Sequence, residues 1–287
     1  MAKMYMLTET SPFMMSFVLE TDKNNLIIVD GGRKEDMPLL KSYVKNRHIS
    51  AWILTHAHDD HIEGFVSEME RNSGKDFDVE KIYYNFPSYE ELILKGEKEV
   101  PDIAYFRQEL NEMLPAFNKI KHKFKDKEII AKAGDKIEID EISIEFLYSY
   151  KGGMYANLMN DASLVFKVVT PKTSVLFLGD LGPDGGDELK KLPKEKLKAD
   201  YVQMAHHGHM CVEKSVYELI KPSFCLWTAP IWLYEEVEIP DYLENRKWHK
   251  KVGRDRMWGT ALTRKWMKEL GVKKHYVSGE GTQVIEI

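Results

Sequence analysis

His56, His58, Asp60 and His61 fall within six residues of the stretch THAHDDH, residues 55–61. Imidazole nitrogens and carboxylate oxygens are the usual donors to zinc and other borderline divalent ions. The stretch follows directly on the apolar run Ala51–Leu54, which reads as a strand. His56 and His58 alternate, so on an extended segment both point the same way. Asp60 and His61 are adjacent and need a turn to converge. A strand that stops at Thr55 and rolls into a loop supplies that turn. A plain polar loop leading into a helix is the bland alternative. Ten histidines in 287 residues, however, seldom place three within six.

The same grammar recurs. LIIVDGG ends in Asp30–Gly31–Gly32, SVLFLGDLG in Gly179–Asp180, and DYVQMAHHGH in His206–His207–Gly208–His209. Each sets a polar group just past the end of an apolar run. In sheet folds, sites assemble outside the carboxyl ends of the strands. Four strand ends could therefore aim ligands at one spot.

The elements that must position these residues are short runs rich in Val, Ile, Phe and Tyr. Strands are expected at Met14–Glu20, Leu26–Val29, Ala51–Leu54, Lys81–Asn85, Ile142–Tyr148, Leu164–Val169, Ser174–Leu178, Tyr201–Met204, Phe224–Trp227, Tyr276–Val277 and Val284–Ile287. Helical spacing marks Lys34–Asn46, Ile103–Lys119, Val212–Ile220 and Met257–Leu270, with Gly271 as a stop for the last. Repeats and low-complexity tracts are absent. The polar stretch 68–132 reads as helical decoration on a single domain spanning 1–287. Strands flanked by helices imply a layered α/β architecture.

Composition excludes several classes. Net charge is −5 with acids and bases interspersed, which is not the basic footprint of a nucleic-acid binder. Two cysteines, Cys211 and Cys225, make no disulfide framework and suit a reduced compartment. The N-terminus lacks the apolar core of a signal peptide. No run approaches the roughly 18 apolar residues of a membrane span. A cytoplasmic protein with no membrane partner is expected.

HAHDDH resembles the HxHxDH signature of the metallo-β-lactamase superfamily, with Asp59 at a free position. Asp180 in FLGD resembles the metal-bridging aspartate of that superfamily, and Asp30 in VDGG its early strand-end aspartate, which supports the site. NDASLVFKV, VLFLGDLG, AHHGH and the closing KELGVKKHYVSGEGTQVIEI narrow the likeness to the hydrolase domain of ComEC-type competence proteins and their soluble relatives. The resemblance runs from about Met14 to Ile287. It implies a four-layer αββα sandwich with two divalent ions, zinc first and manganese or iron as alternatives. By the same resemblance His56 and His58 hold the first ion, Asp60 and His61 the second, and Asp180 bridges. His206 is the remaining ligand, and His207 could exchange roles with it.

Two departures from the pattern matter. Many members carry a further ligand histidine between the opening motif and the bridging aspartate. Here that interval holds only His122, in the charged KIKHKFKDK. Asn157, Asn160 or Asp161 would then fill that side of the site. Secondly, His209 stands where the competence-type pattern has Ser. It is either a surface residue or a proton donor or substrate contact at the cleft mouth.

These parts fit hydrolysis. A divalent ion with an open position lowers the pKa of its water from 15.7 toward about 7, giving hydroxide at neutral pH. Asp60 would orient that hydroxide, and His207 or His209 would protonate the leaving group. The expected substrate is a small molecule or phosphodiester with an ester, lactone or phosphodiester-type bond. A nuclease or nucleic-acid-binding protein is the rival, resting on the basic segment 247–256. Trp227, Trp232, Tyr234, Trp248 and Trp258 are candidates for an apolar pocket wall.

Overall fold

A computed structural model of the chain describes residues 1–11, 13–90, 113–152, 158–209, 212–236 and 259–287. The strands form two seven-stranded sheets. The first contains β1 (Lys3–Met6), β2 (Ser16–Glu20), β3 (Leu26–Asp30), β4 (His48–Ile53), β5 (Asp78–Tyr84), β6 (Glu128–Ile130) and β14 (Gln283–Glu286), in the order β14-β1-β2-β3-β4-β5-β6. The second contains β7 (Lys136–Ile139), β8 (Ile142–Tyr148), β9 (Val165–Val169), β10 (Ser174–Phe177), β11 (Tyr201–Gln203), β12 (Phe224–Trp227) and β13 (Lys274–Val277). Its order is β13-β12-β11-β10-β9-β8-β7.

The period-two alternation of a strand sorts its residues between two cores. In β3, Leu26 and Ile28 face an outer core, while Ile27 and Val29 face the space between the sheets. In β10, Val175 and Phe177 face the same inner space, and Leu176 joins the outer core of the second sheet. Both faces are buried, which explains why these strands read as continuous apolar runs. The outer layer on the first sheet includes α1 (Met37–Val44), α2 (Asp59–Asn72) and residues 113–120, which are helical. Helices Pro183–Leu189, Lys214–Ile220 and Thr260–Glu269 contribute Leu189, Val216 and Met267 to the outer core of the second sheet. The result is the four-layer αββα sandwich of the metallo-β-lactamase fold.

Parallel pairing decides where chemistry can collect. β3 and β4 run parallel, as do β10, β11 and β12. Within each set the carboxyl ends therefore share one sheet edge. These are the ends that carry Asp30, THAHDDH, Asp180 and AHHGH.

Several elements differ from the sequence expectation. The loop after β4 covers only residues 54–58, and α2 begins at Asp59 with His58 as its N-cap. Asp59 and Asp60 in the first turn suit the positive end of the helix dipole. Asp60 and His61 are thus brought round by a helix start, not by an extended loop. The region 68–132 contributes β5 and β6 to the first sheet as well as helix. β1, β6 and β7 had no counterpart among the expected strands. Each is only three or four residues long, and β6 and β7 are partly exposed and charged. The Lys34–Asn46 helix divides into a 3-10 turn at Lys34–Asp36 and α1. Asn157, Cys211, the segment 247–256, Trp248 and Trp258 lie outside the described residues. Among the described residues, no helix is long and apolar enough to cross a membrane.

Candidate metal centre

Two overlapping groups of donor atoms meet at the shared edge. Asp60, His61, Asp180 and His207 form one, and His56, His58 and Asp180 the other. Within each group the donor atoms lie within 4.8 Å of one another. Asp180 belongs to both, as expected for a bridging carboxylate.

His61 is oriented from behind. Its Nδ1–H donates to Asp30 Oδ2 at 2.8 Å, which leaves Nε2 facing Asp180 Oδ1 at 3.2 Å. Asp30 is itself fixed by Thr55, whose backbone N–H donates to Oδ1 and whose hydroxyl donates to Oδ2, both at 2.7 Å. Trp52 donates its indole N–H to the Asp30 carbonyl. Asp30 adopts φ +54, the left-handed region that non-glycine residues seldom enter and that recurs at functional sites. Gly32 completes this support. Its N–H donates to the His61 carbonyl, and at φ +72 an added Cβ would meet Asp36 Oδ2 at 2.6 Å.

His207 is oriented in the same manner. Its Nδ1–H donates to the Thr228 carbonyl at 2.8 Å, and its Nε2 stands 3.2 Å from Asp60 Oδ2 and 3.4 Å from Asp180 Oδ2. A second-sphere acceptor that fixes the ring and leaves the other nitrogen toward the centre is the usual arrangement of metal-bound histidine. His61 Nε2, His207 Nε2 and Asp180 Oδ1 are buried and make no hydrogen bond. They face one another across a gap that a cation would fill.

In the other group, His56 Nε2 lies 2.9 Å from His58 Nδ1 and 3.7 Å from Asp180 Oδ2. Two imidazole nitrogens this close, beside a carboxylate, also fit a shared cation. Asp180 is held by its backbone. Its N–H donates to Ser163 Oγ at 3.0 Å, and the preceding Gly179 takes φ +56 against Ser163 and Thr55. Gln203 accepts the N–H groups of Leu178 and Gly179 on its Oε1. It donates through Nε2 to the carbonyls of Gly179 and Met204. It thereby ties the end of β10 to that of β11.

Electrostatics point the same way. Burial opposes charge on His61 and His207, but Asp180 and Asp60 outweigh it. His61 is held well above the ordinary histidine value and His207 is pushed up to about 9. Burial alone would raise Asp60 and Asp180, yet the facing imidazoles hold both carboxyls below the usual range. His56 is lowered well below its ordinary value by burial and by His61. Burial raises Asp30 against the pull of His61 and Thr55. The carboxylates thus demand positive charge, and protonated imidazoles supply it when nothing else does. A divalent ion would take that role from the protons. The donor set fits divalent metal.

The other expected site residues are placed as follows. His206, expected as the remaining ligand, lies outside the four-residue group, with Nε2 at 3.9 Å from Asp180 Oδ2. Its side chain is 19% exposed. His207, expected to act on the substrate, stands inside the group. Backbone geometry explains the exchange. His206 and His207 both adopt left-handed conformations, φ +51 and +55, and Gly208 follows at φ +89. The turn carries His207 inward and leaves His206 at the rim. Gly208 packs so closely on Trp227 that a Cβ would lie 2.1 Å from the indole ring. His209 is buried, not on the surface, with its ring centroid 4.0 Å from that of His206. Burial, His206 and His207 hold it well below the usual histidine value. Asp59 stands outside the cluster and pairs with Arg33 at 3.0 Å. His122 is exposed and hydrogen-bonds the Lys119 carbonyl. Trp227 is fully buried, while Trp232 is 53% exposed and meets Phe13 edge-on. Phe13 in turn packs on His207 and His209.

Sequence reading did not single out Thr55, Ser163, Gln203, Thr228 or Phe13. Thr55 and Ser163 had a usable signal, since each adjoins a motif residue or opens a strand leading to one. Thr228 and Phe13 act across long sequence separations and gave no local sign.

Residues 15–129 match the family model described as "Metallo-beta-lactamase superfamily", a span that includes Asp30 and the whole of HAHDDH. No curated protein sequence matches the chain. Among solved structures, the metallo-beta-lactamase fold protein YhfI from Bacillus subtilis is similar at 11% identity and TM-score 0.53, with all of both chains covered. CmlA, a diiron beta-hydroxylase from Streptomyces venezuelae, is similar at 10% identity and TM-score 0.50. All of this chain is covered there, against 54% of that one. At these identities the likeness is one of fold. The chain has the metallo-β-lactamase fold, and residues 15–129 within it match the superfamily model.

Proposed function

We propose that the chain is a metal-dependent hydrolase. The observation that carries this reading is the convergence of His61 Nε2, His207 Nε2 and Asp180 Oδ1, buried and without hydrogen bonds, beside the His56–His58 pair. Asp60, His61, Asp180 and His207 would hold one divalent ion, and His56, His58 and Asp180 the other. His207 thus replaces His206 in the ligand set first expected. Bound ions would supply Lewis acidity and would lower the pKa of water toward about 7.

The chain's own residues do the rest. Asp30 and the Thr228 carbonyl hold His61 and His207 in the tautomer that presents Nε2. Asp60, with its side chain 11% exposed, is the carboxylate placed to accept a hydrogen bond from an attacking water. His206, whose side chain is 19% exposed beside Asp180, marks the side from which a substrate enters. His209 packs against it at a tilt of 41°, with ring centroids 4.0 Å apart, and would limit its swing. The packing of Phe13 on Trp232 gives this rim an apolar edge that suits a small molecule with an ester, lactone or phosphodiester bond.

The AHHGH, FLGD and NDASLVFKV motifs support a place near the soluble relatives of the ComEC-type hydrolase domain. Zinc is the first metal to test for a His/Asp donor set, with manganese and iron next. The diiron protein of like fold makes iron a real competitor. The test is turnover of chromogenic esters, phosphodiesters and β-lactams by protein loaded with each metal in turn. Hydrolysis that is lost in Asp180→Ala is expected. Hydrolysis that survives Asp180→Ala, or none with any metal, would overturn the reading.

A further inference from the structure

We propose that the buried Trp227, held by His275, is the positioning residue of His207 and fixes the angle at which His207 Nε2 enters the four-donor ion position. This rests on the metal-hydrolase reading above and goes beyond it, because neither residue belongs to the donor groups. His207 stands in a backbone that must be held. His206 and His207 both adopt the left-handed region, at φ +51 and +55. Such conformations are costly and persist only where the surroundings impose them.

Trp227, the last residue of β12, acts on this turn from two sides. Its indole ring is fully buried and lies so close against Gly208 that no Cβ fits there. Thr228, the next residue, offers the carbonyl that accepts the His207 Nδ1–H at 2.8 Å, and its hydroxyl lies 3.3 Å from the same nitrogen. A shift of Trp227 would therefore move both the floor of the turn and the acceptor that orients the imidazole. The His206 N–H donates to the Gly179 carbonyl, and the His209 N–H to the His206 carbonyl. These bonds fasten the backbone on either side of His207 but do not bear on its ring.

His275 holds Trp227 from the neighbouring strand. β12 and β13 pair in parallel, with Cys225 opposite His275 and Trp227 opposite Val277. Cys225, Trp227 and Val277 line the outer core of the second sheet, and His275, two residues before Val277, shares that face. The Trp227 indole N–H donates to His275 Nδ1 at 2.8 Å. An indole nitrogen can only donate, so Nδ1 is the unprotonated nitrogen of a neutral His275. Tyr234 packs edge-on against the same indole, with ring centroids 5.1 Å apart. Packing of this kind leaves a ring free to slide, whereas the hydrogen bond sets where its nitrogen lies.

The experiment uses the full chain stripped of metal and titrated with zinc and with cobalt(II) against a chromophoric chelator. The wild type is expected to bind two equivalents, and His207→Ala marks the one that depends on His207. His275→Leu, which removes the acceptor, should weaken that same equivalent by about ten-fold, the lower end of the cost of losing outer support. It should leave the other equivalent near wild type and shift the visible cobalt band. His275→Asn, whose side-chain oxygen stands near the place of Nδ1, should restore both affinity and band. Trp227→Phe should weaken the same equivalent, and adding His275→Leu to it should change nothing further, because the indole N–H is already gone. Equal weakening of both equivalents overturns the proposal, as does failure of His275→Asn to restore the band. A loss of stability in His275→Leu with an unshifted cobalt band overturns it too, since the pair would then serve the fold alone. If His275→Leu does not fold, Trp227→Phe is read by the same criteria. A wild type that binds no metal would instead remove the hydrolase reading itself. Two tight equivalents kept unchanged in His275→Leu would remove only the positioning role.

Discussion

Asp30→Asn isolates the tautomer control on which the centre depends. Asp30 accepts three hydrogen bonds, from the Thr55 N–H, the Thr55 hydroxyl and His61 Nδ1–H. Asparagine has the same shape but only one accepting oxygen. The Thr55 N–H can only donate, so the amide oxygen must stay opposite it. The amide nitrogen then takes the place of Oδ2 and donates toward His61 Nδ1. The ring proton is driven to Nε2, where Asp180 Oδ1 at 3.2 Å accepts it. That arrangement is comfortable without metal and blocks the lone pair an ion needs. Loss of such second-sphere support costs about ten- to a hundred-fold in metal affinity, or roughly 1.4–2.7 kcal/mol. The metal-free fold should change by less, within about 2 kcal/mol. Lost charge-assisted hydrogen bonds are offset by removing a buried charge. Chelator competition measures the first quantity and urea unfolding of the metal-free protein the second. Unchanged affinity in a folded Asp30→Asn protein would refute the tautomer argument.

Three further outcomes are expected. Gly208→Ala puts a Cβ 2.1 Å from the Trp227 ring at a backbone φ of +89, so urea unfolding should show a loss of about 2–5 kcal/mol. A loss under about 1 kcal/mol would mean the turn is free to move. His275 accepts the Trp227 indole N–H on Nδ1 at 2.8 Å, and burial with Arg264 lowers its pKa from 6.5. Below pH 6.5 the unfolded chain therefore binds a proton that the folded chain resists, and stability falls with pH from there down to the folded pKa. Thermal unfolding followed by tryptophan emission should show this slope, reduced in His275→Gln; an equal slope in both would refute the assignment. His209→Ala should keep its metal and slow substrates with good and poor leaving groups alike, because a buried ring packed at a tilt against His206 acts by positioning. A loss confined to poor leaving groups would restore the proton-donor role expected from its place after Gly208.

Much of the architecture was legible because central strands bury two faces, which leaves continuous apolar runs such as Leu26–Val29 and Phe224–Trp227, and because Ile142–Tyr148 alternates buried and part-exposed residues over its first half. Short or half-exposed strands such as Lys136–Ile139 carried no such mark. The meeting of His56, His58, Asp60, His61 and Asp180 at one sheet edge was legible because HAHDDH, Gly179–Asp180 and AHHGH concentrate ligand-type side chains at strand ends. Which of His206 and His207 turns inward was not. It follows from two consecutive left-handed residues, and no local pattern in AHHGH announces them. The start of α2 at Asp59 was hidden for another reason. Asp and His are poor helix formers in isolation, and here the helix N-terminus favours them. The supports behind the donors, Thr228 behind His207 and Asp30 behind His61, depend on contacts 21 and 31 residues apart in the chain. Only the folded sheets bring them together.

Elemental analysis of the purified chain, beside His58→Ala and Asp180→Ala, tests the central claim most directly. Two equivalents of divalent metal per wild-type chain are expected. Asp180→Ala, which removes the carboxylate shared by both positions, should lose more than His58→Ala, and both should remain folded. Full metal content in both variants, or none in the wild type after purification and reloading, would contradict the metal centre described for this chain.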